Sequence, residues 1–124
     1  MTPQQIFDTV ATHLSDQGEQ SLNKGGDCMY RGPKGLKCAV GRLIPDDIYV
    51  TGMEGRKVSA LVVEFIVPDF FMVDDNQVVL EQLQSVHDCR EVEEWKEGLE
   101  NLCSALNLSP TVLDTLEFKP KVGE

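Results

Sequence analysis

The chain has 124 residues, 41% of them apolar and 26% charged, enough for one globular core and too few for two ordinary domains. Eleven Lys and Arg against 21 Asp and Glu leave a formal net charge of -10, which argues against a nucleic-acid backbone or an anionic membrane as the main partner. No apolar run approaches the roughly 18 residues of a membrane span, and the Met1–Gln5 start lacks the basic and apolar blocks of a secretory signal, so a cytoplasmic location is expected.

Thr2-Pro3 reads as an N-cap followed by Pro at the first helical position, where its missing N–H costs nothing. Ile6, Phe7, Val10 and Leu14, with His13 or Ala11, recur at helical spacing, so a first helix is predicted to run to about Ser21. Asn23–Asp27 stops it. Gly32-Pro33-Lys34-Gly35 then predicts a tight turn and a short β-hairpin near residues 29–38. Cys38–Ile44 reads as a short helix halted by Pro45, Asp46–Tyr49 as one further turn, and Val50–Arg56 as a loop. Residues 58–67 are rich in β-branched types and fit a buried strand or a buried helix; the helical neighbours favour helix. Asp74-Asp75-Asn76 is predicted to cap a helix whose apolar positions are Val79, Leu80, Leu83, Val86 and His87. Val92, Trp95, Leu99, Leu102, Cys103 and Leu106 form the apolar stripe of the next helix, opposite Glu93, Glu97 and Glu100, with an end at Asn107 or Leu108. Ser109-Pro110 opens a last short helix to about Leu116.

The expected fold is therefore mainly α: a single-domain helical bundle with one short hairpin. Its parts are a first helix and basic hairpin (1–63), an acidic helical part (64–117) and a frayed tail (118–124). Residues 1–63 hold seven acids and seven bases while residues 64–124 hold fourteen and four, so the whole net charge lies in the second half.

No residues form a recognisable catalytic set. Cys28, Cys38, Cys89 and Cys103 are too sparse for a disulfide scaffold and read as thiols, although Cys28 and Cys38 flank the predicted turn and could approach. His87, Cys89, Cys28 and Cys38 offer a Cys3His set, but without zinc-ligand spacing, so no metal is expected. Cys38 beside Lys37 at a helix start has the setting of a lowered thiol pKa, yet neither His13 nor His87 lies in a motif that makes it a base. Asp46-Asp47 and Asp74-Asp75 read as turns and caps, the glycines form no phosphate-binding loop, and no cofactor is expected.

Two surfaces remain. Lys24, Arg31, Lys34, Lys37 and Arg42, with Tyr30 and Tyr49, surround the Gly-rich turn and could hold a small nucleotide, or could simply offset the acidic helices. Glu91, Glu93, Glu94, Glu97 and Glu100 could present a negative face to a basic site on another protein, or could simply be solvated.

The run Tyr30-Arg31-Gly32-Pro33-Lys34-Gly35-Leu36-Lys37-Cys38-Ala39-Val40-Gly41-Arg42-Leu43-Ile44-Pro45-Asp46, with Gln84–Asp88 and Glu94-Trp95, resembles a group of small uncharacterised proteins encoded by phages and bacteria, over roughly residues 3–106. Its Gly-x-x-Cys-Ala-x-Gly core is also similar to another uncharacterised bacterial family, in which it opens a short helix. The first resemblance implies a phage or mobile-element accessory protein in the host cytoplasm, a class that counters host defence by blocking a protein or sequestering a signal. It carries no catalytic role to any position. The leading expectation is a non-enzymatic inhibitor of a host defence protein acting through its acidic surface, and the alternative is a binder of a small signalling nucleotide at Tyr30, Arg31, Lys34, Lys37 and Arg42.

Overall fold

A computed structural model describes residues 1–120. Four α-helices carry the fold: α1 (Pro3–Gln17), α2 (Val58–Glu64), α3 (Asp74–Cys89) and α4 (Trp95–Leu106), joined by irregular chain with six 3-10 turns. The predicted mainly helical class holds, and the helical reading of 58–67 is correct over Val58–Glu64.

α1 starts as its sequence dictates. The Thr2 hydroxyl accepts from the Gln5 amide while the Gln5 side chain accepts from the Thr2 amide, so two backbone donors without helical partners are satisfied reciprocally. It ends at Gln17, earlier than predicted, because Gly18 takes the left-handed conformation and closes the helix on the Leu14 carbonyl. Ile6, Phe7, Val10, Ala11 and Leu14 are buried, with Ala11 rather than His13 completing the face. α1 packs mainly on α3, and α3 in turn on α4. Trp95, Leu99, Leu102 and Cys103 bury the stripe of α4 as predicted, and Asn107 at φ 57° ends it. The first predicted turn of this helix, Val92–Glu94, is a separate 3-10 turn.

Three expectations are corrected. Among the described residues no β-hairpin forms at 29–38; isolated bridges at Leu22–Cys28 and Arg31–Lys37 stand in its place. Side chains take the backbone groups that a ladder would use. The Glu54 carboxylate accepts from the amides of Tyr30 (2.8 Å) and Arg31 (3.0 Å), while Gln17 binds both the amide (2.9 Å) and the carbonyl (2.7 Å) of Lys37. A strand whose donors and acceptors are already satisfied gains nothing by pairing. Second, Cys38–Ile44 is not an α-helix but a bend with one 3-10 turn at Gly41–Leu43, which lets Gly41 lie against Tyr30; a Cβ at Gly41 would stand 2.1 Å from the Tyr30 carbonyl oxygen. Third, Asp74 and Asp75 lie inside the first turn of α3, behind Val73 at the cap position, where their charge favours the helix dipole without a capping bond. Asn76 is buried and ties Phe70 and Met1 together through their carbonyls at 2.9 and 3.0 Å.

The last predicted helix is a 3-10 turn over Thr111–Thr115. The tail is anchored further than expected: Phe118 is buried in the same apolar cluster as Ile6 and Trp95, and Ser15 donates to the Glu117 carbonyl at 2.7 Å. The predicted fraying of residues 121–124 lies outside the described residues.

Candidate functional site

Two of the basic residues around the Gly32–Gly35 turn, Arg31 and Lys37, are drawn into the fold. Arg31 donates to Asp46 (2.6 Å) and to the Ile44 carbonyl (2.6 Å), and its guanidinium lies 4.9 Å from the centre of the Tyr49 ring. That hydrogen bond and charge, with Lys37 at 3.8 Å, hold the Asp46 carboxyl below its usual range. Tyr30 is buried, and its hydroxyl donates to the Arg56 carbonyl. Tyr49 donates to Glu54 at 2.6 Å. Lys34 and Arg42 remain exposed on an open cavity of about 770 Å³ along α1, whose wall also carries Asp8, Asp16 and Glu19. The amides of Gly32 and Gly41 are bound to the Leu36 carbonyl and the Cys38 sulfur, so this loop does not offer a row of free donors to a phosphate.

The folded chain also assembles a group that the sequence did not reveal. Ligating atoms of Cys28, His87 and Asp88 all lie within 4.8 Å of one another. His87 is fully buried and stacked on Trp95, with ring centres 5.7 Å apart, in keeping with its place on the apolar face of α3. The Ser21 amide donates to its Nε2 at 3.0 Å, so the ring proton sits on Nδ1 and is donated to Asp88 at 2.7 Å. Gln84 donates to the same carboxylate oxygen at 2.8 Å. Partial burial pushes the Asp88 carboxyl up, but the donors His87, Cys28 and Gln84 outweigh it and hold it below its ordinary value.

The order of this chain decides its chemistry. A nucleophilic thiol needs the imidazole next to the sulfur. Here the carboxylate stands between them, and burial together with the hydrogen bond to Asp88 pushes the Cys28 thiol up to about 12. A metal fits no better. A ligating imidazole offers one nitrogen to the ion and donates its other N–H to an acceptor; in His87 the outer nitrogen faces a donor, the Ser21 amide, so an ion on Nδ1 would leave two N–H groups pointing at each other. The group is a structural network. Cys38 lies outside it, and its place beside Lys37 does not activate it: burial pushes its thiol up to about 12 despite a hydrogen bond from Gly41 at 3.3 Å. All four cysteines are free.

The acidic residues are where the sequence placed them. Glu91, Glu93, Glu94, Glu97 and Glu100 are exposed. Among the described residues, none of the five is in an ion pair. Glu91 and Glu94 cap the 3-10 turn that leads into α4; Glu93 lies in that turn, and Glu97 and Glu100 are exposed on α4 itself. No protein-family model matches the chain, and neither a curated protein nor a solved structure matches it. Among the described residues, no helix is long and apolar enough to cross a membrane.

Besides the Cys28, His87 and Asp88 network, sequence reasoning missed three groups. Glu54 serves as a carboxylate hub for a loop that contacts it only in the folded chain. Gln84 joins α3 to the Cys38 bend by accepting from the Val40 amide at 3.0 Å. Exposed apolar side chains at Val63, Ile66, Met72 and Val73 flank residues that are buried, and no periodicity separates the two sets.

Proposed function

We propose that this protein is a non-enzymatic accessory protein of phage type that binds, and by binding inhibits, a host protein, with a defence component as the expected class, through Glu91, Glu93, Glu94, Glu97 and Glu100. The observation that supports this reading is the unpaired row of carboxylates. Glu97 to Glu100 is an i,i+3 pair of like charges on α4, worth a few tenths of a kcal/mol against the isolated helix. Glu97, in the first turn of α4, recovers part of this at the positive end of the helix, but Glu100 does not. A basic partner surface would relieve the repulsion and steer encounter.

The nucleotide alternative needs more rearrangement. A phosphate that engages Arg31 must displace Asp46, and Tyr30 has no exposed face on which a base could stack. Calorimetry against a panel of nucleotides is expected to give no heat; micromolar binding lost in Lys34→Ala with Arg42→Ala would favour the alternative. The leading reading is tested with immobilised chain and host lysate. One principal partner is expected, and the double reversal Glu93→Lys, Glu97→Lys, on positions with no internal partner, should weaken its binding by at least roughly tenfold, about 1.4 kcal/mol. Undiminished binding by the folded double variant would overturn the assignment of this face.

A further inference from the structure

We propose a second docking surface, on the α2–α3 connection, for a protein segment whose apolar side chains are flanked by Lys and Arg. Val63 and Ile66 are 82% and 79% exposed, and Met72 and Val73 are 55% and 51% exposed. Isolated exposed apolar side chains are ordinary, but four within residues 63–73 concentrate surface that water solvates poorly. The segment is held in place. Phe71 and Val67 are buried, Phe70 packs on Phe71 with ring centres 5.1 Å apart, and Asn76 fixes the Phe70 carbonyl at 2.9 Å. The patch is therefore presented on a fixed base, which lowers the entropy lost on binding.

Charge selects the occupant. Between Lys57 and Arg90 the sequence contains no Lys or Arg. Asp69, Asp74 and Asp75 are exposed within and beside the apolar segment, and Glu64 faces Arg56 at 2.6 Å. A second copy fits poorly, because a two-fold contact would bring this acidic patch against the same patch of the other copy, with no Lys or Arg between residues 57 and 90 to offset it. An anionic bilayer is repelled for the same reason. An apolar segment with basic flanks buries the four side chains and meets the carboxylates. This surface lies on α2 and the start of α3, apart from the α4 face, and the inference stands independently of that reading.

The test is a titration of the isotopically labelled full chain with a synthetic amphipathic helix of Leu and Lys, and with its Leu and Glu counterpart, read by amide chemical shifts. The basic peptide is expected to shift residues 63–75, the acidic one to leave them unmoved, and Val63→Ser with Ile66→Ser to weaken the basic peptide by tenfold or more. Both substitutions fall on highly exposed positions, and unchanged circular dichroism verifies the fold. Glu93→Lys with Glu97→Lys should leave the response at 63–75 intact, which separates failure of this surface from failure of the α4 face. The proposal is overturned by shifts confined to α4, by equal response to both peptides, by full affinity in the Val63, Ile66 variant, or by self-association of the free chain through residues 63–75.

Discussion

Cys38 illustrates how position overrides local sequence. Lys37 beside it suggests an activated thiol, but the side chain is buried and its pKa is raised from about 9 to about 12, since a thiolate in an apolar interior loses its hydration. The unfolded thiol ionises as pH rises past 9 while the folded one does not, so its contribution is fully present below pH 9 and is lost towards pH 12. Between pH 9 and 10, wild-type stability should fall by about 1 kcal/mol on account of this group alone. Urea denaturation of wild type and Cys38→Ala at both pH values measures this. The variant is expected to be less stable at neutral pH yet to lose less on the alkaline step; equal losses would place the thiol in a solvated setting. His87 gives the same lesson. Its helical spacing announces a core position, and it is one, but the Ser21 amide and Asp88 carboxylate that fix its tautomer come from elements that spacing along α3 does not connect.

Among the elements, those whose residues are fixed by local chemistry were legible. The α1 cap, the α4 stripe and its end at Asn107 follow from side chains within a few positions of each other. The hairpin failed because its competitors are distant in sequence: Glu54 and Gln17 occupy amides at Tyr30, Arg31 and Lys37. Pro and Gly predicted the turn, and the turn exists at Pro33–Gly35, with Lys34 itself at φ 61° and Gly35 at φ 77°. What turn chemistry could not predict was whether the arms would pair. The close approach of the Cys38–Ile44 bend to Tyr30 supplies a direct check. Gly41→Ala must push apart two backbone segments, because the new Cβ meets the Tyr30 carbonyl and not a movable side chain. A loss of about 3 kcal/mol is expected in chemical denaturation, and a loss under about 1 kcal/mol would show that this contact yields easily.

At the scale of the whole molecule, the two halves of the chain use charge differently. Of the seven cations in the balanced first half, three are ion-paired, Arg31 and Lys37 with Asp46 and Arg56 with Glu64 across the boundary, whereas most described carboxylates of the acidic second half are exposed without an ion pair. The asymmetry was legible in the sequence, and so was the candidate acidic face. The pairing of Arg31 and Lys37 with Asp46 was not, because Asp46 is separated from Arg31 by fourteen intervening residues. If function lies in contacts made by α4, partner binding should also weaken as salt is raised, chiefly through slower association. The most direct test is amide hydrogen exchange of the chain with and without the partner recovered from host lysate. Slowed exchange across residues 91–105 is predicted. Protection confined to the 24–42 loop, with α4 unchanged, would contradict the account.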